Sequence, residues 1–207
     1  MHKLYTFLFL VFSFSLMAQP RLAQSEMYVG LNLGVTESMV GFNPSVKQGF
    51  LMGYNGGFVY RYVGNKYVGV QAELNFSQRG WTEKSGLYTR QLNYVELPFL
   101  THFYVGNKNR VFLNIGPKIS YLLSEKVLKD GTTGTDTQHV TLIQNPFDYG
   151  LCGGLGFLFN IKGNIFQLDT RVNFGLSDIF SNDKRDYFAT SNNMDASVNL
   201  AWMLKVK

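Results

Sequence analysis

Residues 88–123, YTRQLNYVELPFLTHFYVGNKNRVFLNIGPKISYLL, decide how the rest of the chain is read. On the first arm Val95, Leu97, Phe99, Thr101 and Phe103 share one face, opposed by Tyr94, Glu96, Pro98 and His102. After a turn at Gly106-Asn107-Lys108-Asn109, the residues Val111, Leu113, Ile115, Ile119, Tyr121 and Leu123 keep one phase against Asn114, Lys118 and Ser120. Alternation with a period of two is a strand signal, because successive side chains leave opposite faces of the pleat. Ordinary strands run about five or six residues. These arms are longer, and suit a membrane-crossing strand, which needs roughly nine to eleven.

The same pattern recurs on both sides of this stretch. Met27 to Val35 forms the first strand, followed by a loop over Thr36 to Gly49. Phe50 to Tyr62 is the second, and a tight turn at Gly64-Asn65 leads into a third carrying Val68, Val70, Ala72, Leu74 and Phe76 against Gln71, Glu73 and Asn75. Gln78 to Thr89 reads as polar loop, and Ser124 to Pro146 as the longest connection. Phe147 to Ile161 is the sixth strand, and Lys162-Gly163-Asn164 turns into the seventh, where Phe166, Leu168, Val172 and Phe174 oppose Gln167, Asp169, Arg171 and Asn173. Ser177 to Asn193 is a further polar loop, and the last strand carries Ala196, Val198, Leu200, Trp202, Leu204 and Val206.

The pattern predicts an all-β fold: an eight-stranded antiparallel up-and-down transmembrane β-barrel with short periplasmic turns and long extracellular loops. The short turns share a Gly-Asn pair, the chemistry of tight hairpins. Tyr60, Tyr62, Tyr67, Phe103, Phe159, Phe166 and Trp202 gather near the predicted periplasmic ends, as an interfacial girdle would. Composition agrees. Charged residues are 16% of the 207, aromatics 15%, and Gly numbers 21, against about 25% charged in soluble domains. The alternative is a soluble barrel of the lipocalin kind with its apolar side inward. That arrangement needs a charged outer face, whereas the polar face here is mostly Asn, Gly, Gln and Ser.

Residues 1–23 read as a secretory signal peptide with cleavage near 18–24: Lys3 begins it and Leu4 to Met17 is an apolar run. Residues 24–207 then form a single barrel domain. The net charge of +5 is scattered, with no basic run suited to a phosphate backbone, so nucleic acid is not an expected partner. A single cysteine, Cys152, excludes an intrachain disulfide framework and a multi-cysteine metal site. No cofactor and no metal are expected.

Arg61, Glu73, Glu96, His102, Lys118, Asp169 and Arg171 fall on the lumen phase and are the candidate site residues. They read either as a proton relay or substrate channel, or as a buried ion network. The interior of an eight-stranded barrel is only wide enough to be filled by side chains, which favours the network. Pro98 and Pro117 each remove a ladder donor and are expected at bulges or irregularities. Trp81, Tyr88, Phe147, Tyr149 and Phe180 flank the long loops, as a recognition patch or as girdle residues. His102 and His139 have no Ser or Asp at a catalytic spacing, and no enzyme activity is expected.

Three blocks, Gln71-Ala72-Glu73-Leu74-Asn75-Phe76-Ser77-Gln78-Arg79-Gly80, Leu92-Asn93-Tyr94-Val95-Glu96-Leu97-Pro98 and Asn114-Ile115-Gly116-Pro117, resemble the PorT-like outer-membrane β-barrel family of Gram-negative bacteria. The resemblance implies an eight-stranded barrel in the outer membrane, in contact with its lipid. It also implies an accessory role such as that of the family's named member in the type IX secretion system. It supplies no catalytic or binding residue. The expected function is therefore a non-enzymatic, monomeric structural or accessory barrel, working through loop or rim contacts with envelope or secretion-system proteins. The alternatives are a small-ligand transport or receptor barrel, and a lipid-modifying enzyme.

Overall fold

In the computed structural model the described residues are 21–131, 137–181 and 187–206. The predicted signal peptide lies almost wholly outside them. Eight long strands form the wall: β1 (Arg21–Asn43), β3 (Leu51–Asn65), β4 (Val68–Glu83), β5 (Tyr88–Gly106), β6 (Arg110–Asp130), β7 (Phe147–Ile161), β8 (Asn164–Asp178) and β9 (Thr190–Lys205). A two-residue strand, β2 (Gln48–Gly49), adds to the outer part of β4, and one short helix, α1 (Thr137–Val140), lies in the β6–β7 connection. Each long strand pairs antiparallel with its sequence neighbour. The ring closes where β1 pairs with β9, from Tyr28 opposite Lys205 to Asn43 opposite Thr190. Among the described residues no helix is long and apolar enough to cross a membrane.

Side-chain direction follows the alternation. Leu31, Leu33, Phe58, Leu74, Phe99, Ile115, Leu155, Val172, Val198 and Leu200 point outward and are exposed, while Asn32, Glu73, Asn75, Glu96, Lys118, Asp169, Arg171 and Asn199 point inward and are buried. Apolar outside and polar inside is the inverse of a soluble barrel. It is stable only where hydrocarbon surrounds the wall and the backbone groups are satisfied strand to strand. The lipocalin-like alternative, which needs the opposite arrangement, is thereby excluded. Of the predicted girdle residues, Tyr60, Tyr62, Tyr67, Phe103, Phe159 and Trp202 are exposed near the short-turn end, and Phe166 is partly buried beside Phe159 and Trp202. That end is built tightly. Lys162 and Gly163 both take positive φ, 52° and 88°, which makes the β7–β8 hairpin a turn whose twist matches its strands.

At the other end the strands run further than the alternation predicts. β1 continues to Asn43, β4 to Glu83 and β6 to Asp130, through stretches that read as loop in sequence. The expected Gln78–Thr89 loop is mostly hairpin, closed by only residues 84–87. The geometric phase is unbroken through the projecting parts of β1 and β4, but the chemistry inverts. Val40, Phe42 and Trp81 occupy inward positions and are buried, while outward neighbours such as Glu37 and Gln78 are polar. Above the hydrocarbon the outside is wet, so the apolar side belongs inside, and a search for one constant polarity stops at that inversion. On β6 one extra residue at each of two places shifts the register against β5, between Asn93 and Tyr94 and between Thr89 and Arg90. The prolines do not mark these bulges. Ladder pairs are missing opposite Leu97 and Pro98 in β4, and at Gly116 and Pro117 opposite β5, with the register unchanged on either side.

Leu155 lies mid-strand on the outer face of β7. Leu155→Arg should destabilise the barrel in phospholipid vesicles by about 2–4 kcal/mol in a urea titration, as expected for a cation at the bilayer midplane. The same change at Leu142, in the loop outside the wall, should alter stability by less than about 0.5 kcal/mol.

Candidate functional site

The lumen is filled in three layers. At the short-turn end Tyr28, Val59, Val63, Tyr104, Phe112, Leu158, Ile165 and Met203 pack into an apolar cluster. His102 belongs with it. Its ring lies 5.5 Å from Tyr104 and 5.1 Å from Phe112, and Nδ1 meets Asn114 Oδ1 at 2.7 Å. Arg61 lies over the same Phe112 ring at 5.7 Å, so of the candidate residues it is Arg61 that adjoins His102, with the others in the layer above.

The middle layer is ionic and divides into two groups. In the first, Arg171 makes a fork to Glu73, with nitrogen–oxygen distances of 2.8 and 3.1 Å, and reaches Asp169 at 3.4 Å. Glu73 also accepts from Asn75 at 2.8 Å, from Asn32 at 3.2 Å and from Gln71. Arg61 donates to Gln71 and Gln167, and Asp169 accepts from Gln167 at 2.6 Å and from Asn199 at 3.1 Å. In the second, Arg79 binds Asp148 at 2.9 Å, Ser120 at 2.9 Å and Glu96, lies 3.7 Å from Asp195, and covers the Tyr94 ring at 4.6 Å. Lys118 sits 3.6 Å from both Glu96 and Asp195.

Arg79, Asp148 and Asp195 are therefore central, although sequence reasoning did not name them as site residues. Arg79 fell in the expected loop after Ser77, and Asp195 fell just before the expected start of the last strand. Extending the phase of β4 and β9 by two residues would have placed both inward. The layer holds four cations (Arg61, Arg79, Lys118, Arg171) against five carboxylates (Glu73, Glu96, Asp148, Asp169, Asp195), every one buried. Such dense opposition is what desolvation demands, because an isolated buried charge is costly. The free space among Asn75, Glu96, Arg171 and Asp195 is small, about 10 Å³. Cys152 is buried on the same inner face.

The third layer closes the loop end. Val40, Phe42, Trp81, Tyr88, Leu92, Tyr94, Ile179, Phe180 and Phe188 form an apolar core inside the projecting strands. Phe42 meets Trp81 edge-on at 5.4 Å and Phe188 at 4.8 Å. Of the five aromatics expected to flank the loops, Trp81, Tyr88 and Phe180 are thus interior, and only Phe147 and Tyr149 face outward. The α1 segment is tied across this core. His139 stacks on Tyr88 at 3.8 Å and meets Glu83 at 2.7 Å, and Arg90 donates to the Thr141 carbonyl at 2.8 Å and to Glu125 at 2.6 Å. Among the described residues no group of three His, Cys, Asp or Glu side chains is placed to hold a metal.

A closed eight-stranded wall, apolar outside and occluded inside, defines a small transmembrane barrel of the bacterial outer membrane. A family model for the outer membrane protein beta-barrel domain matches residues 17–181, and the chain belongs to that family. Comparison with curated proteins finds none that matches. Among solved structures, OprG from Pseudomonas aeruginosa is similar at 9% identity and a TM-score of 0.51, covering 90% of this chain and 96% of that one. Neisserial surface protein A is similar at 11% identity and a TM-score of 0.51, covering 87% and 98%. Ail, the attachment invasion locus protein of Yersinia pestis, aligns at 14% identity and a TM-score of 0.45 over 86% and 99%. At these identities the likeness to OprG and to the Neisserial protein is one of fold. In barrels of this kind the short turns lie in the periplasm and the longer connections outside the cell.

Removing one partner from the ionic layer should be far worse than removing both. Arg171→Met should cost about 3–5 kcal/mol in urea unfolding from vesicles, because Glu73 and Asp169 lose their counter-charge. Adding Glu73→Met should recover a large part of that loss. At the loop end, Trp81→Ala should cost about 3–5 kcal/mol by opening a cavity in the aromatic core, and should diminish the near-UV circular dichroism.

Proposed function

We propose that this protein is a non-enzymatic accessory barrel of the outer membrane that acts through contacts at its loop end and rims and conducts nothing. The observation that carries this reading is the filled lumen: little free space among Glu96, Arg171 and Asp195, with apolar clusters packed above and below the ionic layer. A pore needs a continuous wet path, and here the charged groups of the middle layer are engaged with one another, as Arg171 with Glu73 and Arg79 with Asp148. The two described histidines support a structural reading of the polar groups. His102 is held by Asn114 between two aromatic rings, and His139 is held by Glu83 against Tyr88.

With the interior closed, function falls to the outer surfaces. Leu87, Val140, Leu142 and Tyr187 are exposed on the loop side, beyond the strands that carry the lipid-facing residues. Apolar side chains in that setting favour contact with another envelope protein. The resemblance of the three sequence blocks to the PorT-like barrels supports an accessory role in secretion or envelope organisation, with the barrel a monomer and residues 1–23 a leader removed on export. A receptor role would use the same loop surface.

The test is native-gel sizing of the protein extracted from outer membranes in mild detergent, with boiled and unboiled samples alongside. A heat-modifiable band inside a larger assembly is the expected result, and a heat-modifiable band travelling alone would transfer the reading to a freestanding receptor. In planar bilayers the purified barrel should give no steady conductance. Stable channel openings would overturn the occluded-lumen reading.

A further inference from the structure

The periplasmic rim is chemically unlike the rest of the molecule. Each of its three turns carries one lysine and no acidic residue: Lys66 after Gly64-Asn65, Lys108 after Gly106-Asn107, and Lys162 before Gly163-Asn164. All three are exposed. Lys205, at the end of β9, and Arg110, at the start of β6, stand at the same level. Among the described residues at this end the one carboxylate is Glu26. It accepts from Arg110 at 2.9 Å, from the Tyr28 hydroxyl at 2.9 Å and from Lys205 at 3.2 Å, and so is already used. Five cations against one carboxylate leave a positive collar around the whole circumference. Positive charge is not spread in this way at the loop end, where Glu83, Glu125 and Asp130 are interleaved with Lys84, Lys126 and Lys129.

The collar is also continuous with the lipid-facing wall. The exposed rings of Tyr60, Tyr62, Tyr67, Phe103, Phe159 and Trp202 lie next to it, at the depth where aromatic side chains meet headgroups. Lys66 Nζ lies 5.4 Å from the centre of the Tyr67 ring, so a turn lysine and a girdle ring form one unit. Trp202 donates through Nε1 to Asn164 Oδ1, at 3.0 Å, which holds the indole against the β7–β8 turn. Lysines on flexible stems just beyond an aromatic belt meet the phosphate level of a bilayer. Several of them together attract anionic lipid through the surface potential.

We propose that this collar binds the anionic phospholipid headgroups of the periplasmic leaflet, gathering them around the barrel and fixing its depth. Tyrosine and tryptophan rings enter the interface, and Lys66, Lys108, Lys162 and Lys205 take the phosphates. The lysines are single charged points on mobile stems, so the site selects negative charge and not one headgroup shape. The proposal depends on the membrane assignment and is independent of any partner at the loop end.

Trp202 is a built-in reporter, since the other tryptophan, Trp81, is buried in the loop-end core. The full chain carrying Trp81→Phe would be folded into phosphatidylcholine vesicles containing a fixed fraction of phosphatidylglycerol, with bromine on the acyl chains of one lipid or the other. Heat-modifiable migration would confirm folding in each case. At low ionic strength, brominated phosphatidylglycerol should be enriched at Trp202 by roughly threefold over its bulk fraction, falling toward parity in 1 M salt. The change of Lys66, Lys108, Lys162 and Lys205 together to Gln should abolish the enrichment while leaving the barrel folded. Should that variant not fold, the paired changes Lys66→Gln with Lys162→Gln should still lower the enrichment measurably. Quenching by the two lipids in proportion to their bulk fractions in the unmodified collar, or enrichment that survives the lysine changes, would overturn the proposal and leave the collar to an acidic protein of the periplasm.

Discussion

In hydrocarbon no backbone N–H or C=O can be left to water, so a sheet inside a bilayer must have no edge. The pairing of β1 with β9, from Tyr28 to Asn43 along one strand and from Lys205 back to Thr190 along the other, is what removes it here. Everything else follows from that closure. Eight strands closing on one another enclose a channel only as wide as the side chains that fill it. Groups placed inside are consequently out of water and must find partners within the barrel. The forked contact of Arg171 with Glu73, and the crowding of Glu96, Asp148 and Asp195 around Arg79, are the answer to that demand.

The direction in which each side chain points persists along β1 and β4 beyond the level of the hydrocarbon, while the chemistry placed on each face does not. In the membrane the outside is apolar and the inside ionic. Beyond the membrane Val40, Phe42 and Trp81 occupy inward positions; at the opposite end Val59, Val63 and Met203 do so within the girdle, beside the outward rings of Tyr60, Tyr62 and Trp202. The molecule is thus a membrane barrel through its middle with ordinary apolar cores at both ends. This construction places a packed apolar cluster on each side of the ionic layer.

Those surfaces differ from each other. The loop side presents exposed apolar residues such as Leu142 and Tyr187 next to charges of both signs, with α1 tied down by Arg90 and Glu83. The turn side presents lysines above a band of aromatic rings, with its one described carboxylate already bound. The proposed protein partner would meet the first surface and the proposed lipid headgroups the second, with the length of the barrel between them.

How much of this was legible from sequence is clearest at particular residues. The lipid-facing wall was readable because one side of every strand carries residues such as Leu97, Phe99, Leu113 and Leu155, and a period of two is visible wherever a sheet separates two unlike environments. The inward positions of Arg61, Glu73, Glu96, His102, Lys118, Asp169 and Arg171 come from the same phase. The roles of Arg79 and Asp195 were not readable: Arg79 lies where the outer face ceases to be apolar, and Asp195 follows the polar run Thr190–Asn193 with only Met194 between. Nor could Trp81, Tyr88 and Phe180 be told from interfacial aromatics, because an aromatic ring suits a headgroup layer and a dry core equally well. By itself, then, the sequence determined that this is a membrane barrel, how many strands cross, and which side of each meets lipid, all consequences of local alternation. Which charge faces which across the lumen, and the sealing of both ends, were decided only by the tertiary structure, because those contacts join strands remote in sequence whose relative stagger is set by ring closure.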